Sequence, residues 1–466
     1  MNKTDKTNQT RALYNGAALA LACYLVPTAA SATDVFNLEG YGATSRAMGG
    51  TAVAQDTGPA GMLINPAALS LAAQGNQVML GFDLISTNIS VVNRANGATA
   101  NSSTHGANRG PYYGPEFGYT FRKGKLAFGI GAFAQGGLGT EYGSNSFLSQ
   151  ATGGLPTGLQ NSSRLLELVV PLAISYDVTD KLSIGASIEG RWQSLNLNLL
   201  LGADQVGSLI GGGRVNGTLL PVLGGLPDLR GAHFSLTRNQ IVGGGIRSLG
   251  MGERIGLIYK PMPGTTIGLS WAPKTQMKDM KGGATLTAVD GVAGQIPLTG
   301  SIRIRKFRLP QHIDAGISQQ LSSKLMVAVD VSKLLWKDVM ENIDVGFVAD
   351  NGATLNILLP QGYKNQTIVA LGAAYQLSDK WTLRAGARFA DEPLRSQTLF
   401  AVIPATPNKH VSFGFSRKIA SKSEINFAYA HGWAPRMNNT SLPNTSAPIS
   451  VTHTQNNFVL DYRFGF

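Results

Sequence analysis

Residues 166–176 read Leu-Glu-Leu-Val-Val-Pro-Leu-Ala-Ile-Ser-Tyr. In an extended chain successive side chains point to opposite faces, so Leu166, Leu168, Val170, Leu172, Ile174 and Tyr176 share one face while Glu167, Val169, Pro171, Ala173 and Ser175 share the other. An apolar face backed by a small or polar one suits a strand standing between lipid and a polar lumen. A soluble sandwich alternates as well, so the period alone leaves both architectures open.

The same alternation recurs on either side. Leu182, Ile184, Ala186 and Ile188 alternate with Ser183, Gly185, Ser187 and Glu189, and Trp381, Leu383, Ala385, Ala387 and Phe389 with Thr382, Arg384, Gly386 and Arg388. The links between such segments favour the membrane. Short ones carry turn chemistry, as at Arg122-Lys123-Gly124-Lys125, Val178-Thr179-Asp180-Lys181 and Pro261-Met262-Pro263-Gly264. They alternate with long Gly/Asn/Ser-rich ones near 93–111, 137–162, 200–246 and 435–453, the asymmetry of periplasmic turns and outer loops. The expected fold is all-β, a transmembrane antiparallel β-barrel of about fourteen strands over 77–466, including strands near 76–93, 126–136, 265–280, 299–319, 324–347 and 454–466.

Composition agrees. Of 466 residues 43% are hydrophobic and only 14% charged, Gly is frequent at 57, and beyond the first thirty or so positions no apolar run is long enough to span a bilayer as a helix. Lys3, Lys6 and Arg11, the apolar stretch Ala12 to Val26 and Ala30-Ser31-Ala32 read as a cleavable signal peptide over 1–32. The single cysteine, Cys23, lies inside it, so the exported chain has no thiol for a disulfide, a metal or nucleophilic attack. The formal charge of +12 is scattered without a Lys/Arg run or a nucleic-acid motif, which fits an anionic lipid and lipopolysaccharide surface and no nucleic acid. The last residues carry a separate signal. Phe458, Leu460, Tyr462, Phe464 and the terminal Phe466 share one face, and an aromatic end to an apolar alternation resembles the element by which outer-membrane barrels engage their assembly machinery, with Tyr462, Phe464 and Phe466 as its residues.

Residues 33–76 do not alternate. They are too polar for lipid and too glycine-rich for continuous helix, so they belong inside a lumen or outside the barrel. Met48-Gly49-Gly50, Ala52 to Asp56 and Asn65-Pro66-Ala67 stand there in order. Together with Leu309-Pro310, Trp336, Gly362-Tyr363-Lys364, Trp381 to Gly386, Asp391-Glu392-Pro393 and Ile403-Pro404, this closely resembles the FadL/TodX family of outer-membrane transporters for long-chain fatty acids and other hydrophobic compounds. The resemblance implies a Gram-negative outer-membrane location, no catalysis and no cofactor. It also implies a periplasmic hatch whose gate residues are Gly49, Gly50, Asp56, Asn65, Pro66 and Ala67. Pro66 fixes its own φ and biases Asn65 away from helix, so Asn65-Pro66-Ala67 can set a defined turn.

In that family a kink in the third strand opens the wall sideways. Here Gln135-Gly136-Gly137 stand at the matching place, and glycine tolerates a bulge. Leucines from Leu199 to Leu223, with Leu200 and Leu220 among them, suggest capture of apolar solutes by the outer loop at 200–246. Members that carry fatty acids place a basic residue shortly before the Gly-Tyr-Lys element, whereas Leu359 and Pro360 stand here. Arg303, Arg305, Arg384 and Arg388 are the remaining candidates for a carboxylate contact. The expected ligand is a hydrophobic small molecule, a long-chain fatty acid first and an aromatic or alkane hydrocarbon second, carried by a monomer. A barrel enzyme has no Gly-x-Ser-x-Gly or His-Glu-x-x-His motif to support it. A general porin needs no N-terminal plug.

Overall fold

The computed structural model describes residues 35–103, 111–236 and 245–466; the expected signal peptide, with Cys23, lies outside them. The wall follows from the alternation. Its strands are β1 (Gly75–Asn93), β2 (Tyr112–Lys123), β3 (Leu126–Gly143), β4 (Asn161–Asp177), β5 (Leu182–Gly202), β6 (Ile246–Tyr259), β7 (Thr265–Ala272), β8 (His312–Gln320), β9 (Leu325–Leu334), β10 (Gln366–Gln376), β11 (Trp381–Ala390), β12 (Lys409–Ala420), β13 (Ser423–Trp433) and β14 (Ile449–Gly465). Each pairs antiparallel with the next. The ladder from Gln77–Gly465 to Asn93–Ile449 closes β14 onto β1. Closure leaves no sheet edge, which lipid requires because it cannot hydrogen-bond a free backbone group.

Outward residues are apolar and exposed, Leu80, Phe82, Leu172, Ile174, Phe413 and Leu460 among them, while their neighbours Asp83, Ser175, Ser412 and Asp461 are buried inside. Tyr462, Phe464 and Phe466 stack with nearly parallel rings along the outer face, with centroid separations of 5.6 and 6.2 Å.

The expected count of about fourteen covers the strands that close the wall but falls short of the whole sheet. The connected sheet holds 23 strands among the described residues. Segments expected as single strands are broken: 299–319 divides into Gly294–Arg305 and β8, and 324–347 into β9, a turn at Trp336–Asp338 and Asn342–Ala349. Strands Leu229–Ser235, Met280–Asp290, Gly294–Arg305, Asn342–Ala349 and Thr354–Pro360 pair in succession and extend the wall on the side of the long links. The region 200–246, expected to be irregular, holds the end of β5, helices Ala203–Gly211 and Leu219–Gly224, and the strand Leu229–Ser235.

The N-terminal segment fills the opposite end of the lumen. A helix at Gly42–Ala47 and 3₁₀ turns at Pro59–Leu63 and Pro66–Leu71 are buried along nearly their whole length. They fit because the wall beneath them is glycine. A Cβ on Gly386 would stand 2.1 Å from the Gly49 nitrogen, one on Gly185 2.4 Å from the Ala67 nitrogen, one on Gly256 1.9 Å from Asn65 Oδ1 and one on Gly268 2.1 Å from the Val53 oxygen. Replacing Gly386 with Val is therefore expected to leave a barrel that still shows heat-modifiable migration but whose N-terminal segment is cut by protease from the periplasmic side; an uncut segment would mean that the wall glycines are not what seats it.

Candidate functional site

Three chambers lie above and beside the N-terminal segment. The central one is an apolar cavity. Strands β4 and β5 give it Leu165, Leu195, Leu197, Leu199 and Leu201, the outer extensions give Phe234, Ile302, Ile304, Val345, Ile357 and Leu359, and links give Phe36, Phe307, Met340, Tyr363, Phe400 and Val402. Among the described residues no charged side chain lines it, and Gln361 and Tyr363 are its polar residues. Phe36 stands between Phe307 and Trp336, at centroid distances of 5.7 and 5.5 Å, and Trp336 meets Tyr363 edge-on at 6.1 Å. Such edge-to-face packing holds ring planes in fixed orientations.

Below the cavity the lumen is polar. Arg46, fully buried on the N-terminal helix, donates from Nη1 to Glu39 Oε1 and from Nη2 to Asp83 Oδ2, both at 3.0 Å. Glu116 and Asp461 accept the amides of Gly42 and Ala43, satisfying the first turn of that helix. Beside this group Arg254 bonds Asp314 at 3.1 Å and the Ile64 carbonyl at 3.1 Å, Arg191 bonds Gln135 and Glu189, and His312, Asp330 and Arg388 line the same layer.

The second chamber is a cleft at β3, lined by residues from both faces of the wall. The β2–β3 ladder ends at Glu116–Phe133, whereas β3 continues against β4 with register shifts between Ala134 and Gly136 and between Glu141 and Gly143. At this point the N-terminal chain lies against β3 from inside. Leu38 N donates to the Gln135 carbonyl at 3.1 Å and Gly137 N to the Phe36 carbonyl at 2.7 Å. A Cβ on Gly136 would meet the Phe36 oxygen at 2.0 Å, and one on Gly137 the Leu165 oxygen at 2.5 Å. Both glycines read from the sequence thus sit where β3 leaves its neighbour. The cleft is lined by exposed or half-buried Tyr113, Leu166 and Trp192 and by buried Val35, Asn37 and Glu39. The third chamber faces outward under the long links and is lined by Asn93, Asn161, Asp204, Gln205, Asn444 and Thr445 over Leu199, Phe400 and Val402.

The other residues singled out by sequence fall as follows. Asn65 donates to the carbonyls of Val53 at 2.7 Å and Leu257 at 3.2 Å and accepts from Ala67 N at 3.0 Å, so Asn65-Pro66-Ala67 is a tied turn. Gly49 and Gly50 have φ of +69° and +90°. Asp56 is exposed and accepts from Gly58 N at 2.8 Å. The four arginines do not gather at the cavity. Arg305 pairs with Asp344 at 2.6 Å, Arg303 lies 3.8 Å from Asp279, Arg384 bonds Ser416, and Arg388 belongs to the polar layer. Leu200 packs on Ala151 and Val289 under the outward chamber, and Leu220 is half-buried outside the cavity lining. Leu209, Leu219 and Leu223 turn inward, leaving Ile210 and Val222 exposed. Sequence reading missed Phe36, Phe307, Met340, Phe400 and Val402, which lie in non-alternating links where apolar residues carry no positional signal.

This chain belongs to the outer membrane protein transport family described as OMPP1/FadL/TodX, whose model matches residues 21–464. It is 40% identical to the toluene transporter TodX of Pseudomonas putida, covering 92% of this chain and 99% of that one, with a TM-score of 0.83. It is 41% identical to the toluene transporter TbuX of Ralstonia pickettii, over 92% and 99% of the two chains, with a TM-score of 0.79. Outer membrane protein P1 of Haemophilus influenzae is 25% identical over 309 residues, 66% of this chain and 62% of that protein's length. The chain is an outer-membrane β-barrel of a transport family, whose members are channels for hydrophobic compounds rather than enzymes.

The Arg46 group is the most consequential interaction of the lower lumen. Arg46→Met would leave Glu39 and Asp83 buried without their cation, and losing one partner of a buried pair costs about 3–5 kcal/mol. Amide hydrogen exchange over residues 42–50 is expected to accelerate on the order of a hundredfold or more in the variant, with β-strand amides unchanged; unchanged exchange at 42–50 would remove Arg46 from the role of anchor.

Proposed function

We propose that this chain conducts small neutral hydrophobic molecules, monoaromatic hydrocarbons ahead of long-chain fatty acids, across the outer membrane. The observation that carries this reading is the absence of a charged group from the cavity lining among the described residues. A carboxylate placed there would lose its hydration without gaining a cation, which is strongly unfavourable in an apolar surround. A ring of carbon and hydrogen loses nothing of the kind and gains contact with Phe36, Phe307 and Tyr363. Leu359, next to the Gly-Tyr-Lys element, lines the cavity itself, and no arginine replaces it. The toluene transporters TodX and TbuX, at 40% and 41% identity, lend the same direction.

The route we propose follows the polarity of the lumen. A molecule held in the cavity faces, directly below, the ion pairs of Arg46 and Arg254, which an apolar solute cannot enter without separating charges. Beside it lies the cleft at Gly136 and Gly137, which shares Leu165 with the cavity and is parted from it by residues 35–38. In this reading the N-terminal segment is a hatch that stays in place, with Asn65 securing its turn, while Phe36 and its neighbours shift. The molecule then leaves sideways into the bilayer. Helices Ala203–Gly211 and Leu219–Gly224 act as a roof over the cavity, and Ile210 and Val222 remain as an outer apolar landing surface.

The test is equilibrium binding to the refolded barrel, with toluene and a long-chain fatty acid each competing against a labelled aromatic. Toluene is expected to displace the label saturably and the fatty acid to displace it at least tenfold less well. Leu359→Arg is expected to reverse that order. Saturable fatty-acid binding that toluene leaves untouched would overturn the hydrocarbon reading. Gly136→Val with Gly137→Val is expected to keep binding and abolish uptake by whole cells; unimpaired uptake would count against the lateral route.

A further inference from the structure

The link between β11 and β12 lines all three chambers, as strands β4 and β5 do, but unlike those strands it lies outside the wall ladders. Phe400 and Val402 face both the central cavity and the outward chamber, and Pro404, Ala405 and Pro407 line the wall cleft. Where the outward chamber and the cavity meet, they share Leu199, Phe400 and Val402. Of these Leu199 is fixed in the β5 ladder, paired with Phe234. Phe400 and Val402 are not in a ladder.

The way this link is held differs from the rest of the wall. Its carbonyls are capped by side chains reaching from several strands and links. Asn444 Nδ2 donates to Thr398 O at 2.7 Å, Asn439 Nδ2 to Leu399 O at 2.9 Å and Tyr142 OH to Ala401 O at 2.7 Å. Thr140 Oγ1 and Ser163 Oγ donate to Val402 O at 3.0 and 2.5 Å, and the His453 imidazole meets Pro404 O at 2.8 Å. A segment tied by separate side-chain bonds can detach locally without unzipping a ladder. Of these donors Asn444 lines the polar outward chamber, where a lost bond can be replaced.

We infer that residues 398–404 are the internal port of the channel and that Phe400 is the residue a ligand must displace to pass from the outward chamber into the cavity. This rests on the reading that the cavity holds the transported molecule, and it adds the place of ingress. The outward chamber, rimmed by amides and floored by Leu199, Phe400 and Val402, is where a neutral aromatic sheds its last water before the ring of Phe400 swings aside. Position 400 governs how fast ligands exchange, and the deeper lining, such as Ile304, governs how long they stay.

The experiment is stopped-flow exchange of naphthalene, a neutral fluorescent aromatic, with the purified full-length barrel, whose assembly is checked by heat-modifiable migration. Phe400→Ala is expected to raise association and dissociation rates together by tenfold or more, and Phe400→Trp to lower both. Ile304→Ala is expected to raise dissociation alone. Thr140→Val with Ser163→Ala keeps the Phe400 side chain but removes both donors to Val402 O, and is expected to raise both rates as well, which carries the test should a position-400 variant fail to assemble. If the assembled variants change dissociation alone, or change neither rate, the port is elsewhere. Failure of the substrate reading shows separately, as naphthalene exchange that fatty acid competes away and toluene does not; a barrel that takes up no naphthalene overturns both.

Discussion

The close approach of the N-terminal backbone to the glycines of the wall is the constraint on which the interior depends. A closed barrel satisfies every strand amide and carbonyl between strands, but it leaves a lumen that must be filled or remain an open pore. Side chains alone do not fill this one. Backbone atoms of Met48, Gly49, Val53 and Ala67 lie where Cβ atoms would stand on Gly372, Gly386, Gly268 and Gly185. Contact at that distance brings the N-terminal amides within reach of wall side chains, so Ser412 accepts from Gly49, Asp330 from Ala52 and Val53, and Asp461 from Ala43. The glycines and these acceptors belong to one arrangement: without the first, the second would be out of range.

That arrangement explains why the lumen is layered. With the lower end occupied by backbone and its hydrogen bonds, buried charge collects there, where partners are dense. The apolar residues of the outer extensions collect above it. Burying Arg46 beside Glu39 and Asp83 adds little net stability by itself, since desolvation offsets most of the Coulomb attraction. Its effect is specificity. The guanidinium has two carboxylates to satisfy, one on the segment and one on the wall, and only one seating of the segment satisfies both.

What the sequence made legible follows the environment that each residue meets. The wall strands were readable because lipid enforces a period of two, and the turn residues at 178–181 and 261–264 because their backbones demand it. The strands within 280–305 and 342–360 fall partly in expected links and partly at the ends of expected neighbours, since beyond the lipid nothing enforces alternation on a common outer face. Gly136 and Gly137 were found because their lack of a side chain is itself the signal. The leucines from Leu199 to Leu223 were read as a surface for capture, yet most are buried: a loop this apolar folds over a cavity sooner than it stays in water. The cavity could not be assembled from sequence, because Phe36, Met340 and Phe400 meet only through the topology and lie far apart in the chain.

The polarity of the layers also decides what direction a bound molecule can take. An apolar molecule in the cavity has the same affinity for hydrocarbon in any direction, so selection must come from what each exit makes it displace. Downward it would have to part Arg254 from Asp314 and Arg46 from Glu39, leaving ions in a medium that solvates them poorly. Upward it must displace the Phe400 ring and then enter water, giving back the hydrophobic gain that drew it in. Sideways it meets residues 35–38, held to β3 by two backbone hydrogen bonds, and beyond them the apolar outer face at Leu166 and Tyr113. On the proposed lateral route neither charge separation nor rehydration would oppose movement. A wall strand that parts from its neighbour at two glycines is the structural condition for it.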